Sequence, residues 1–286
     1  MRLGVHYVDF LPGQPQCLGP TLASTARAAE DIGAAMFALA DHLFQMEAVG
    51  RADDPFLEAY TAMGFVAGRT RTIPLATLVS PVTFRLPGIL AKSIATLDVL
   101  SGGRAVLGLG TGWNRREHAA LGIPFPAASV RLGMLKETVN ICRQMWTDDT
   151  GPYTGEHFHL RETVCEPRPL RPPPILIGGS GERRTLRIVA ELADAWNTTE
   201  TLDRLPLKLD ALRRHCDAVE RDFTEIQLTA SNFMDPFADV DGYLRATEQY
   251  AQLGFDVVTV GPLPGHPDPV GFVERLGDEV VARINR

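Results

Sequence analysis

Short apolar runs alternate with amphipathic stretches along the whole chain. Apolar runs of strand length, typical of buried strands, fall at residues 3–7, 36–40, 73–79, 105–109, 175–177, 195–198, 226–231 and 256–261. Stretches with helical spacing follow them, at about residues 21–33, 54–68, 87–101, 129–146, 182–193, 206–223, 241–253 and 269–284. The pattern predicts eight strands, each followed by a helix.

The helix boundaries are marked by residues that suit helix ends. Asp54 followed by Pro55 is a good start, because aspartate caps an amino terminus and proline suits the first helical position. Gly102 and Gly103 predict the end of the helix over 87–101. In the helix over 129–146, an apolar stripe faces the core, formed by Leu132, Leu135, Val139 and Cys142.

Alternating strands and helices favour a parallel sheet, since a helix between two strands carries the chain back to the same edge. Eight such units in 286 residues predict a closed (β/α)8 barrel, a TIM barrel of the α/β class, as a single domain over residues 1–286. A doubly wound open sheet is the alternative architecture.

The alternation breaks between residues 147 and 174. This stretch is polar and rich in proline, with "GEHFHL" and "CEPRPLRPPP". We interpret it as an insertion after strand four that crosses the barrel mouth as a lid.

Composition narrows the class of protein. The chain is 45% hydrophobic and 22% charged, with a formal net charge of −7, which argues against a nucleic-acid surface. No apolar stretch approaches the roughly 18 residues of a membrane span, and the start of the chain lacks the apolar core of a signal peptide. The four cysteines are scattered without a C-x-x-C pair. These features favour a protein of the reducing cytoplasm.

Polar residues and glycines follow almost every predicted strand. The strand ends read His6-Tyr7, Asp41-His42, Thr77-Leu78-Val79-Ser80, Gly110-Thr111-Gly112-Trp113, Gly178-Gly179-Ser180-Gly181, Trp196-Asn197-Thr198, Ser231-Asn232 and Gly261. In such barrels the carboxyl ends of the strands meet at one face, where the chemistry takes place. The pattern therefore predicts a shared cavity.

The glycine turn over 178–181 carries the clearest chemical signal. Glycines let a backbone approach a ligand, and the helix start that follows offers unpaired N–H groups to an anion. Arg183 and Arg184, expected in the first helical turn, would add positive charge. The turn predicts a phosphate site, with a solvated glycine turn as the alternative.

Other chemistries fit less well. "LGLGTGW" carries Trp113 where a dinucleotide fingerprint needs its third glycine, and the turn at 178–181 lacks the last glycine of a nucleophile elbow. His157 and His159 have no third ligand nearby in the sequence, so no metal site is predicted. His118, which follows Glu117, and Trp113 near the same loop are interpreted as packing or capping residues as readily as functional ones.

Three ordered motifs together resemble the luciferase-like monooxygenase superfamily. They are "ADHLF", "ATLVSPVTFRLPGILAKSIATLDVLSGGRAVLGLGTGW" and "PPILIGGSGERRTLRIVAELADAWN", and the resemblance extends over nearly the whole chain. It is strongest with the branch of deazaflavin (coenzyme F420)-dependent oxidoreductases. The resemblance implies a barrel that binds F420, with FMN as the alternative cofactor, and a homodimer.

The resemblance also implies residue roles. His42 matches the catalytic proton donor or the group that stabilises the hydride partner, and Asp41 the contact to the ring or ribityl edge. A non-prolyl cis peptide is implied between Thr77 and Leu78. The other implied cofactor-binding residues are Thr77, Leu78 and Val79 behind the ring, Gly110 and Asn114 beside it, and Gly178, Gly179, Ser180 and Gly181 around the phosphate.

Two departures bear on the substrate. The sugar-phosphate dehydrogenases of the superfamily have a glutamate after the strand-four Gly-Thr-Gly and a tryptophan four residues after the histidine. Here these positions hold Trp113 and Met46, so a larger and less charged substrate is expected. The expected function is hydride transfer between F420 and an organic substrate. The alternatives are an FMN-dependent monooxygenase and a non-catalytic flavin-binding subunit. FMN is favoured less because F420 has more anionic groups for the arginines expected near the mouth, which are Arg115, Arg116, Arg183 and Arg184.

Overall fold

Eight parallel strands close into a barrel in the computed structural model, which describes residues 1–10, 13–262 and 265–284. The barrel strands are β1 (Arg2–Tyr7), β2 (Phe37–Leu39), β3 (Leu75–Thr77), β5 (Ala105–Gly110), β8 (Ile175–Gly178), β9 (Ala195–Thr198), β10 (Gln227–Ser231) and β11 (Val257–Val260). Three short strands add to them, β4 (Ser80–Pro81), β6 (Tyr153–Thr154) and β7 (His159–Leu160). Pairing of β3 with β5 and of β1 with β11 completes the ring. The predicted barrel is confirmed, and the open sheet is wrong.

Helices surround this barrel and cover its outer face. They are α1 (Pro15–Asp31), α2 (Ala59–Ala67), α3 (Pro87–Ser101), α4 (Arg115–Ala120), α5 (Ala128–Met145), α6 (Thr185–Leu192), α7 (Leu205–Ala218), α8 (Val240–Gln252), α9 (Pro269–Leu276) and α10 (Ala282–Ile284), with a π-helical turn at Gly277–Val281 between the last two. The prediction missed α4. No helix among the described residues is long and apolar enough to cross a membrane.

Several predicted helix ends are corrected. Helix α1 begins at Pro15 rather than near Thr21. Helix α2 begins after Glu58, whose carboxylate accepts from the Thr61 N–H at 2.7 Å, so the start predicted at Asp54 is wrong. A residue with good capping propensity does not set the start of a helix when a residue further along the chain caps the helix in the folded protein.

Other predicted features are confirmed. Gly102 ends α3 with a φ of 72° and donates its N–H to the Val99 carbonyl. The stripe on α5 is buried at Leu135, Val139 and Cys142. Each buried leucine or valine contributes roughly 1.5–3 kcal/mol through the hydrophobic effect.

The loop that enters β3 is held by one carboxylate. Glu30 of α1 accepts backbone N–H bonds from Arg71, Thr72 and Ile73, at 2.8, 2.5 and 3.0 Å. Burial raises the pKa of Glu30, but these bonds outweigh it and lower the pKa to about 2. The carboxylate therefore stabilises the fold in its ionised form.

For Glu30→Gln we expect a loss of about 1–2 kcal/mol in the free energy of unfolding at pH 7, a value reduced because the side chain is partly exposed. The wild-type pKa lies below the ordinary 4.5, so this contribution is complete above pH 4.5 and disappears as the pH falls towards 2. Urea unfolding at a series of pH values measures it. Equal pH dependence in the two proteins would contradict this assignment.

The segment over 147–174 lies against the outside of the barrel. The Glu137 carboxylate of α5 accepts the N–H groups of Glu156, His157 and Phe158 at 2.8–3.1 Å, and Asp98 of α3 accepts that of Leu170 at 2.8 Å. No described residue of the segment lines the cavity at the barrel mouth. The predicted position over the mouth is thus corrected: the segment connects α5 to β8 along the outer helices, held by their carboxylates.

Candidate active site

A cavity of about 660 Å³ opens at the carboxyl ends of the barrel strands. Every one of the eight barrel strands, or the residues just after it, contributes to the wall. The lining residues are His6, Val8, Ala40, His42, Met46, Ala48, Val49, Leu78, Val79, Pro81, Gly110, Thr111, Gly112, Trp113, Gly178, Gly179, Asn197, Thr199, Ser231, Asn232, Phe233, Thr259, Val260, Gly261 and Pro262. This size is within the range of small-molecule and cofactor sites.

The structure separates the predicted site residues into two groups. Those that line the cavity are His42, Leu78, Val79, Gly110, Gly178 and Gly179. Those outside the lining are Asp41, Thr77, Asn114, Ser180 and Gly181. Their predicted contacts to a cofactor remain predictions. Hydrogen-bond partners within the protein are present for the four that have side chains: Asp41, Thr77, Asn114 and Ser180.

Asp41 is fully buried and bound to Arg85. The Arg85 guanidinium donates to both carboxylate oxygens, at 2.5 and 3.1 Å, and also pairs with Glu58. Burial opposes the charge on Arg85, but its carboxylate partners, with Asp41 first, raise the pKa of this guanidinium. The Tyr60 ring lies 4.5 Å from the guanidinium carbon. Asp41 therefore anchors the loop behind the cavity, and the sequence had given no indication of Arg85.

The non-prolyl cis peptide at the end of β3 lies one residue later than the resemblance implied. The cis peptide bond joins Leu78 to Val79, not Thr77 to Leu78. The Leu78 N–H still bonds the Leu39 carbonyl at 2.8 Å, so regular pairing with β2 continues through this amide. The Thr77 hydroxyl donates to the Gly108 carbonyl at 3.2 Å, and Thr77 is not among the lining residues.

Val79 explains two of the predicted glycines. A Cβ on Gly110 would lie 2.7 Å from one Val79 methyl carbon, and a Cβ on Gly178 would lie 2.9 Å from the other. The absence of side chains at Gly110 and Gly178 thus makes room for Val79 in the cavity wall. Gly179 has a φ of 122°, a conformation that side chains rarely adopt, and its carbonyl accepts from the Trp196 indole at 2.8 Å.

His42 is held from behind by a residue that the prediction did not assign. Its Nδ1 lies 2.7 Å from Oε2 of Glu117, and the Glu117 side chain is completely buried. Rings of Trp113 and Phe56 lie edge-on to the imidazole, with centroids 5.5 and 6.2 Å away. The spacing of Asn114 and Glu117, three apart, is a capping-box signal that could have drawn attention to Glu117.

Two polar groups in the wall lack partners among the described residues. They are Nε2 of His6 and Nδ2 of Asn232, both shielded from solvent. Burial, and then the neighbouring His42, lower the pKa of His6 to about 4, so His6 is neutral at physiological pH. Unsatisfied buried donors and acceptors are costly unless a ligand uses them.

None of the four arginines expected near the mouth is among the residues that line the cavity. Helix α6 begins at Thr185, so the exposed Arg183 and Arg184 precede it. Arg116 pairs with Glu47, and Arg115 lies over the Phe125 ring at 5.2 Å. The described residues contain no group of three or more His, Cys, Asp or Glu that could hold a metal ion.

The fold and the cavity define a class: a (β/α)8 barrel with a cofactor-sized site at the carboxyl ends of its strands. Within that class, residues 19–235 match the luciferase-like monooxygenase family. The chain belongs to this family.

Relatives and solved structures agree with this membership. An F420-dependent glucose-6-phosphate dehydrogenase of Nakamurella multipartita is 37% identical over 186 residues, which cover 63% of this chain and 52% of that protein, about half of its length. An uncharacterized protein of Mycobacterium tuberculosis is 32% identical over 281 residues, covering 93% of this chain and 96% of that one. The coenzyme F420-dependent tetrahydromethanopterin reductase of Methanopyrus kandleri superposes with a TM-score of 0.82 at 17% identity, over 99% of both chains, and so has the same fold.

Proposed function

We propose that this protein is an F420-dependent oxidoreductase that transfers hydride between the deazaflavin and a small organic substrate. The observation that carries the proposal is the placement of His42 in the wall of a rim cavity, with its Nδ1 already bound to Glu117. Among the described residues Nε2 of His42 has no partner, which suits a group that exchanges a proton with a substrate.

The residues of the cavity fit a flat ring system. The bend at Leu78 and Val79 would form the back of the ring site, with Gly110 and Gly178 on either side of Val79. His6 Nε2 and Asn232 Nδ2, which lack partners among the described residues, offer it hydrogen bonds. When bound, F420 supplies a carbon that accepts or donates hydride, while the protein supplies orientation and proton transfer.

The anionic part of the cofactor is proposed to bind at Gly179, Ser180 and Gly181, before the start of α6. The Ser180 hydroxyl lies 2.8 Å from that of Thr198, which positions it at the strand end. Exposed Arg183 and Arg184 adjoin this loop. FMN is the second candidate, favoured by the membership in a monooxygenase family.

The substrate is proposed to be uncharged with an apolar body. Among the described residues that line the cavity there is no lysine, arginine, aspartate or glutamate. Its rim carries exposed Trp113 and Phe233, and Met46 and Val49 lie nearby in the wall. A phosphorylated sugar would lose its hydration here without gaining a counter-charge, which is unfavourable.

A cofactor titration tests the function. We expect F420 to quench protein fluorescence with an affinity at least about tenfold higher than that of FMN, equivalent to about 1.4 kcal/mol. The loaded protein should then oxidise cyclohexanol, our uncharged probe, faster than glucose 6-phosphate, as followed by the absorbance of oxidised F420. Tighter binding of FMN would overturn the cofactor assignment, and preference for glucose 6-phosphate would overturn the substrate class.

The protein is further proposed to act as a cytoplasmic homodimer. Three large exposed apolar residues, Leu86, Ile89 and Leu100, share one face at α3, and the exposed Leu170 adjoins this helix. Exposed apolar groups of this kind often mark an interface between subunits. The four cysteines are all free thiols, which supports a reducing compartment.

A further inference from the structure

Glu117 and His42 reach each other from different parts of the barrel. His42 follows β2, whereas Glu117 lies in α4 after β5. Asn114 accepts the Glu117 N–H at 3.2 Å and so begins α4 where the carboxylate can reach the imidazole. The second carboxylate oxygen accepts the N–H groups of Leu43 and Phe44. One carboxylate therefore holds both the imidazole and the backbone that follows it.

We propose that Glu117 is the positioning residue of His42: it keeps the proton on Nδ1, leaves Nε2 as the lone-pair acceptor for the substrate proton, and balances the charge of the imidazolium. This inference rests on the proposed function. An ionised carboxylate is only an acceptor, so the nitrogen 2.7 Å from it must carry a proton. Its other oxygen is already occupied by backbone donors, which prevents the carboxylate from turning away.

The ionised state of Glu117 follows from its partners. Burial raises the pKa of Glu117, but the bonds from His42, Leu43 and Phe44 outweigh this and lower the pKa below its ordinary value. The carboxylate is therefore charged at neutral pH, although no solvent reaches it.

The other ionisable groups near His42 do not compete with it for the substrate proton. His6 faces it from β1 and stays neutral, since its pKa is about 4. Asp41, next in the chain, has both oxygens on Arg85. With an alcohol as substrate, Nε2 of His42 would accept the hydroxyl proton while the C–O bond becomes C=O, and bound oxidised F420 would supply the acceptor for the hydride that leaves the same carbon. The imidazolium formed is then paired with Glu117.

The test uses Glu117→Gln, which preserves shape but changes the hydrogen bond. The carboxamide oxygen can still accept from Leu43, while its NH2 group donates to Nδ1 of His42 and forces the proton onto Nε2. Nitrogen NMR of histidine-labelled protein without cofactor reports the tautomer directly. We expect Nδ1–H in the wild type and Nε2–H in the variant, with cyclohexanol oxidation reduced about 10²–10⁴-fold and F420 affinity unchanged within about threefold.

Glu47→Gln is the matched control, because Glu47 is an exposed glutamate whose partner is Arg116. It should keep the wild-type tautomer and rate. An Nε2–H tautomer in the wild type would overturn the proposal even if the Glu117 variant failed to fold, and so would a Glu117→Gln enzyme with the wild-type rate and pH profile. The tautomer is measured without cofactor, so the test of Glu117 does not depend on the outcome of the F420 titration.

Discussion

For His42→Ala we expect the rate of cyclohexanol oxidation by F420 to fall by about 10²–10⁴, the usual contribution of a general base. The cofactor should still bind, because the proposed ring site at Leu78 and Val79 is unchanged. Stopped-flow absorbance of F420 measures the hydride step, and fluorescence titration measures affinity. Added imidazole should restore part of the lost rate, since the truncation leaves space beside Glu117.

His159→Ala provides the control for this experiment. His159 is exposed in the short strand β7, outside the cavity lining, so its loss should leave the rate unchanged. Retention of the full rate by His42→Ala would show that the proton passes elsewhere. A wild-type protein that binds F420 but does not oxidise cyclohexanol would instead favour the non-catalytic binding role.

For Gly108→Ala we expect a loss of more than about 4 kcal/mol in the free energy of unfolding, or no folded protein at all. Gly108 lies in β5 beside β3, and a Cβ at this position would overlap the carbonyl oxygen of Thr77. Two barrel strands would have to separate, which breaks hydrogen bonds in the strand pair that leads to the cavity. Urea unfolding followed by circular dichroism measures the loss.

Gly64→Ala is the matched control, a change of the same size at an exposed position inside α2. A Cβ there has no neighbour within 4 Å among the described residues, so we expect a gain of about 0.4–1 kcal/mol from the lower entropy of the unfolded chain. A stable Gly108→Ala protein would show that the barrel can relax around this contact, which would contradict the close packing of β3 against β5.

The barrel was predictable because its signals are local. Buried strands appear as apolar runs, and the alternation with helical stretches implies parallel pairing. The location of the cavity followed, since the polar ends of parallel strands meet at one face. His42 and Gly179 were predicted on this basis, and the structure places both in the cavity wall.

The contacts that the sequence did not indicate join residues that lie far apart along the chain. Asp41 is engaged by Arg85, 44 residues away, and His42 by Glu117, 75 residues away. The segment over 147–174 was expected at the mouth, but carboxylates on α3 and α5 hold it outside. Its composition indicated an irregular segment, but it did not indicate which surface would accept hydrogen bonds from its backbone N–H groups.

The sequence by itself determined the eight-strand alternation, the barrel and the set of polar strand ends, because periodicity and strand direction are properties of short stretches of chain. Only the tertiary structure decided that Glu117 supports His42, that Arg85 binds Asp41, and that Val79 fills the space left by Gly110 and Gly178. The physical reason is that a side chain's charge state and orientation depend on which groups the fold brings within a few ångströms of it.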